Sequence, residues 1–188
     1  RRRSTVAERG WLEFSASDPN FLDWRALAAS WEALAGFQEG TVSVATRAGI
    51  DLVPALGVTP GFLAALGMLP VLGRDFREEE VRPGGNPYVT VISDGLWRRV
   101  FGADPGVIGT RVRLNDEPHT IIGVLPAGFD WGETELLRPR TIDPSNSRSD
   151  HQLGVIGLLK PDVSLAEARA ELTTIASRLA GDYPKDNT

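Results

Sequence analysis

The chain has 188 residues, of which 41% are hydrophobic and 24% charged, and its formal charge is -5. Those proportions fit one packed domain or two small subdomains and exclude disordered, collagen-like and coiled-coil chains. The acidic balance, with both signs mixed along the chain, excludes a nucleic-acid partner, which needs a continuous basic face; the absence of cysteine removes disulfides, thiol catalysis and cysteine-ligated zinc.

Arg1, Arg2 and Arg3 lead into the polar run Ser4 to Gly10, not into an apolar segment, so no signal peptide is read and the chain has the character of a soluble piece. Residues 1–17 are taken as an N-terminal arm, partly flexible, and 18–188 as the domain. Asp18 and Pro19 open an amphipathic helix on which Phe21, Trp24, Leu27 and Trp31 recur at helical spacing. After Gly36, Val42 and Val44 alternate with Thr41, Ser43 and Ala45, and Ile50 to Val58 follows a turn at Ala48 and Gly49, which predicts paired strands. Leu52 to Gly73 carries no charge and is long enough to cross a bilayer, but Pro54, Pro60 and Pro70 interrupt it, so it reads as buried core. Inside it, Thr59 is expected to cap a short helix from Pro60 to Gly67 with Phe62, Leu63 and Leu66 inward.

Pro70 to Pro87 reads as a surface loop and Tyr88 to Ile92 as a buried strand. Ser93 caps a helix with Leu96, Trp97, Val100 and Phe101 on one face, ended by Gly102. Thr110, Val112 and Leu114 alternate with arginines, and His119 to Val124 returns after a turn at Asn115 to Pro118, the pattern of a hairpin. Glu133 to Pro139 and Gln152 to Leu159 read as strands around the polar loop Thr141 to Asp150. Ser164 and Glu167 form a capping box for a last helix whose Leu165, Ala168, Leu172, Ile175 and Leu179 share a face up to Gly181. The fold class is α+β: a mixed or largely antiparallel sheet with helices packed mainly on one face.

The histidines are His119 and His151. Asp150 adjoins His151, but neighbours in a strand point to opposite faces, so two strand histidines are preferred to an acid–base pair and a hydrolase is the weakest reading. The phosphate-cradling loop, the serine elbow and the paired-histidine zinc helix are all missing from the sequence, and no catalytic, cofactor-binding or metal-binding residue is assigned. Glu78 to Glu80 lack the spaced oxygens of a calcium loop and read as solvated, as do Arg98, Arg99, Arg111 and Arg113. Among the five tryptophans, Trp24, Trp31 and Trp97 fit core stripes. Trp11 and Trp131 lie outside periodic elements and are kept as candidate contact residues; with the Pro70 to Pro87 loop they would line a cleft if the chain were a free-standing extracytoplasmic small-ligand-binding module.

Several blocks follow one another along the chain: Phe21-Leu22-Asp23-Trp24-Arg25, Val58-Thr59-Pro60-Gly61-Phe62, Leu66-Gly67-Met68-Leu69-Pro70-Val71-Leu72-Gly73-Arg74-Asp75-Phe76 and Val91-Ile92-Ser93-Asp94-Gly95-Leu96-Trp97-Arg98-Arg99-Val100-Phe101-Gly102. They continue with Asp104-Pro105-Gly106-Val107-Ile108-Gly109, Leu114-Asn115 and Ile121-Ile122-Gly123-Val124-Leu125-Pro126-Ala127-Gly128-Phe129. Their order and spacing resemble the MacB-like periplasmic core domain of ABC-transporter permeases, especially the duplicated orphan permeases of acidobacteria. The resemblance runs from about Asp18 to Asn187. It departs at Asn115-Asp116, where the family usually has Asn-Gly, and at Leu136-Leu137-Arg138-Pro139, where it usually has an apolar-aromatic segment before the proline.

The resemblance implies a non-catalytic extracytoplasmic (periplasmic) domain of an inner-membrane permease, inserted between transmembrane helices 1 and 2. Such a domain transmits conformational change or contacts partners and substrate during export or envelope remodelling, while a separate cytoplasmic subunit or domain hydrolyses ATP. The implied partners are the permease's own transmembrane helices, the cognate ABC ATPase, and a permease dimer partner or envelope protein. Structural roles are implied for Trp24, Gly73, Arg74, Phe76, Trp97, Phe101, Gly102, Asp104, Pro105, Gly109, Asn115, Gly123, Pro126 and Phe129.

Overall fold

The computed structural model describes residues 11–46, 49–82 and 84–184, with residues 11–13 as backbone alone. In chain order the elements are β1 Trp11–Ala16, α1 Asp18–Leu27, β2 Trp31–Thr46, β3 Gly49–Val58, α2 Phe62–Ala65, β4 Leu72–Gly73, α3 Glu78–Val81, β5 Val89–Ile92, α4 Asp94–Phe101, β6 Arg111–Leu114, β7 Glu117–Val124, β8 Leu136–Pro139, β9 Leu153–Leu159 and α5 Leu165–Asp182. The strands form one mixed sheet in the order β1-β9-β2-β3-β8-β5-β7-β4, in which β6 pairs with both β2 and β7. Only β3 with β8 and β5 with β7 run parallel among the described pairs.

Because β6 bridges β7 back to β2, six strands (β2, β3, β8, β5, β7, β6) close into a small barrel. The first half of β2 extends past that barrel and carries β9 and then β1 as an open flange. The length of β2, 16 residues, lets one strand serve both parts.

Side-chain alternation assigns the cores. Val42 and Val44 of β2, Val53 and Ala55 of β3, Leu136 of β8, Val112 and Leu114 of β6 and Ile121 of β7 fill the barrel, and Leu96, Trp97, Val100 and Phe101 of α4 pack against them. On the other face, Ala35, Phe37, Leu56, Val58, Leu137 and Ile156 meet Phe62, Leu63 and Leu66 from α2 and its end. At the flange, Leu153, Val155 and Leu159 of β9 face Phe21 and Trp24 of α1 and Ala168 and Leu172 of α5. In β7, Ile121 and Val124 both belong to the barrel core although three residues apart. A register shift between Thr90 and Val91 of β5 skips Ile122 and turns it to the opposite core, the usual work of a bulge.

The structure corrects several local expectations. Trp31 is not on the first helix: α1 ends at Leu27, and Trp31 begins β2, since its spacing from Trp24 and Leu27 mimics a helical stripe. The N-cap is Ser17, whose hydroxyl accepts from Asn20 N at 3.3 Å. Asp18 sits one position later, and its carboxylate is taken by Arg140. Thr59 does not cap α2, whose N-cap is Gly61. Its hydroxyl instead accepts from Gly36 N at 2.9 Å while its own N–H donates to Gly36 O, extending the β2–β3 ladder. The stretch set apart as an N-terminal arm contains β1, paired along its length with β9. Ala48 of the expected turn and Arg1 to Gly10 lie outside the described residues.

Other local signals hold. Ser93 accepts from Leu96 N at 3.0 Å, and Ser164 and Glu167 make the reciprocal capping box. Asn115 and Asp116, both at positive φ (47° and 66°), form the two-residue turn between β6 and β7.

Candidate functional site

Two of the blocks that carry the family resemblance, Val91 to Gly102 and Asp104 to Gly109, meet at the α4 end of the barrel. Trp97 donates its indole N–H to Asp104 O at 2.8 Å, which folds the chain back after Gly102, a helix C-cap at φ 61°. The Asp104 carboxylate accepts from Gly106 N at 2.8 Å and so caps the single 3₁₀ turn that begins at Pro105. Gly109, at φ 86°, then donates to Ile121 O and hands the chain to β6.

Asn115 does more than turn the hairpin. The β6–β2 seam consists of Val44 opposite Leu114, and Asn115 extends it: its N–H donates to Ser43 O at 3.0 Å, and its side-chain oxygen accepts from Ser43 N at 2.9 Å. Sequence reasoning places Asn115 in a turn, but its sealing of the barrel depends on Ser43, 72 positions away.

An open groove of about 610 Å3 lies where these parts meet, between the ends of β2 and β6 and the C-terminal turn of α4. Val100, Phe101 and Val107 supply its apolar lining, Ala45, Thr46 and Thr110 its sides, and Arg99, Asp104 and Arg111 its charged edge. Arg99 is held in a two-pronged pair with Glu135, at 2.8 and 2.6 Å. That hydrogen bonding holds its guanidinium pKa above the ordinary value. Arg98 pairs with Asp94 and Arg113 donates to Asp116 O. Arg111 is exposed and makes no side-chain bond among the described residues.

A second signature block locks the barrel's other side. A Cβ on Gly73 would strike Ile122 O, and one on Gly123 would lie 2.6 Å from Arg74 O, so only glycines let these two segments touch. Arg74 grips Glu80 through both carboxylate oxygens, at 2.6 and 3.3 Å, and Glu80 also accepts from Arg77 N. Glu80 is therefore buried, at 6% exposure, whereas the sequence reading solvates all three glutamates. Burial pushes the neighbouring Asp75 carboxyl up, against the bond it accepts from Phe76 N. Phe76 and Phe129 pack in the α2-side core, and Phe129 N closes a turn onto Pro126 O.

A third polar centre joins the flange to the barrel. Asp18, only 4% exposed, receives Arg140 at 3.1 Å, Asp143 N at 3.1 Å and Asn146 Nδ2 at 3.0 Å. Arg140 also reaches Gln38 of β2. Nearby, Arg148 bonds Asn20 and Asp23 of α1, both at 2.7 Å, and lies 3.7 Å over the ring of Tyr183, the C-cap of α5. Further along α5, Glu171 accepts from Ala29 N and Ser30 N at 2.8 and 3.1 Å. Burial pushes its carboxyl up, but those bonds and Lys160 outweigh that and leave it below the usual range.

The remaining sequence candidates fall elsewhere. Trp24 packs edge-on to Phe14 at 5.1 Å. Trp131 meets Phe37 and Phe62 at 4.9 and 5.3 Å, so it braces a core. The Trp11 side chain lies outside the described residues. His119 is buried in β7 against Tyr88, whereas His151, expected in a strand, is exposed just ahead of β9. Among the described residues no group of three or more histidines and carboxylates could hold a metal ion. No helix among them is long and apolar enough to cross a membrane.

Comparison with known proteins meets this geometry. No curated protein sequence matches the chain. The periplasmic region of MacB from Actinobacillus actinomycetemcomitans superposes with a TM-score of 0.70 at 14% identity, over 98% of this chain and 90% of that one. The extracellular domain of the noncanonic ABC-type transporter YknZ from Gram-positive bacteria gives 0.64 at 16%, over 93% and 87%. A domain of a permease protein from Porphyromonas gingivalis gives 0.65 at 20%, over 89% and 82%. The family described as the MacB-like periplasmic core domain matches residues 5–175, and the chain belongs to that family.

Proposed function

We propose that the chain is the extracytoplasmic domain of an ABC-type permease, inserted between its first and second transmembrane helices. It performs no chemistry and passes conformational change between those helices and the partners or substrate engaged outside the membrane, in export or envelope remodelling. ATP is hydrolysed by a separate cytoplasmic subunit or domain. The observation that carries this reading is the double tie of α5. Glu171 holds the α1–β2 connection, and Tyr183 is linked through Arg148 to the first turns of α1. Asp18 and Arg140 continue that link to β2, the strand shared by flange and barrel. A pull on α5 therefore meets α1 and β2 through short directional bonds added to the apolar layer that α5 shares with Trp31 and Leu159.

The native gene provides the first test: apolar segments of about 20 residues must flank this piece on both sides. The permease–ATPase complex in nanodiscs provides the second. Hydrogen exchange at the β2–β6 seam should respond to ATP, and Arg148→Ala, which cuts one of the two ties, should weaken that response while ATP turnover persists. Missing flanking segments, or a seam that responds equally in the variant, would overturn the proposal.

A further inference from the structure

The groove at the α4 end has a charge pattern that its own fold does not satisfy. Arg98, Arg99 and Arg113 are all engaged, and Arg111 alone among these four has no acceptor, at the edge of an apolar floor made by Val100, Phe101 and Val107. The apolar surface does not stop at the groove. Ala45, one of its walls, stands opposite Ile50 in the β2–β3 ladder, and Leu52 follows on the same face. Ile50 and Leu52 are 71% and 75% exposed, although β-branched and aliphatic side chains on a hairpin usually find cover. Ladder and groove thus adjoin as one strip in which the exposed apolar side chains of Ile50, Leu52 and Ala45 stand among polar ones and Arg111 adds an unpaired positive charge.

We infer that this strip docks an extended segment of a partner polypeptide that presents aliphatic or aromatic side chains beside carboxylates. Apolar side chains would enter the groove and cover Ile50 and Leu52, and a carboxylate would pair with Arg111. Asp104, on the same charged edge as Arg111, disfavours an anionic lipid surface, which would bring many negative charges against it. The inference names the partner's chemistry and stands or falls independently of the permease reading.

The test uses this chain, isotope-labelled, titrated with the peptide acetyl-Gly-Asp-Leu-Asp-Phe-Asp-Leu-Gly-amide and followed by amide shifts. The expected result is weak saturable binding, as suits a small interface, with shifts confined to the ends of β2, β3 and β6 and to α4. Arg111→Gln should weaken it about threefold to fivefold, the size of one exposed charge pair. Ala45→Glu, at an exposed position that leaves the core intact, should weaken it at least about tenfold by placing a like charge on the wall. Shifts elsewhere, equal affinity for the peptide with asparagine in place of aspartate, or the same shifts with sodium acetate alone would each overturn the proposal. Self-association of the chain through this strip, seen by sedimentation without peptide, would assign it to a second copy and overturn it as well.

Discussion

The barrel and the flange are built on the same strand, β2, yet they solve the packing problem differently. In the barrel, closure supplies the second wall, so small and medium aliphatics such as Val42, Val44, Val53 and Leu136 fill the interior by alternation alone. The flange is open and must import its second wall as α1 and α5. It accommodates bulk by notching β9: a Cβ on Gly154 would overlap the Phe37 ring, and one on Gly157 would overlap the Trp31 ring. A closed sheet can be read from strand pattern, whereas an open one depends on which ring lies over which glycine.

The sharpest way to break this contrast is to hollow each part in turn. Leu136 is fully buried in the barrel, and Leu153 nearly so in the flange. Truncating either to alanine should cost about 2 to 5 kcal/mol. Since β2 is continuous through both cores, Leu136→Ala and Leu153→Ala should each lower one shared transition. Urea unfolding followed by tryptophan fluorescence and far-ultraviolet dichroism checks this; two separated transitions in either variant would show barrel and flange to be independent units.

Two glycines of the resemblance blocks sharpen the barrel side. Gly73 and Gly102 both have positive φ, 73° and 61°, but only at Gly73 would a Cβ meet backbone, the Ile122 carbonyl. Gly102→Ala should therefore cost about 1 kcal/mol, the left-handed penalty alone. Gly73→Ala adds a clash with a carbonyl that cannot swing aside and should cost about 3 kcal/mol in all. Equal losses in denaturant midpoint would mean that the β4–β7 contact yields.

These cases show what was legible in the sequence. Local signals came through: Ser93, Ser164 with Glu167, and the Asn115-Asp116 turn act where the sequence puts them. Long-range ones did not, because nothing local encodes them. Trp31 has helical spacing and lies in a strand; Glu80 looks solvated until Arg74 folds over it; β1 lacks a clear pattern because β9, far along the chain, supplies its ladder. The groove is least visible of all, since Ala45, Phe101 and Arg111 come from three elements. Two of the resemblance blocks supply part of its lining, Phe101 and Gly102 from one and Asp104 and Val107 from the next, but their wording alone reveals scaffold, not concavity.

The seam itself gives a smaller effect. Asn115→Gly keeps a residue suited to positive φ and removes the oxygen that accepts from Ser43 N at 2.9 Å and, at 3.4 Å, from the Ser43 hydroxyl. The cost should be about 1 kcal/mol, set mainly by the shorter of these exposed hydrogen bonds. Hydrogen exchange should localise it: Ser43 and Asn115 amides speed up in the variant while the β1–β9 ladder is unchanged. Uniform acceleration would mean that the seam and the flange open together.

The smallest expected effect concerns the flange's tie to α5. Glu171 has a folded pKa below the ordinary carboxylate value, so the unfolded chain binds more protons near that pH and stability rises with pH there. The contribution is complete above the unfolded value of about 4.3 and is lost as pH falls through the lower folded one. Glu171→Gln, which keeps one acceptor and cannot titrate, removes this dependence. Because the side chain is only partly buried, solvent screening limits the difference at pH 7 to about 0.5 kcal/mol at most. The gap between the native chain and the variant should shrink as pH falls from 5 to 3. A gap that stays constant would mean that Glu171 holds the α1–β2 connection by shape and hydrogen bonding and not by charge.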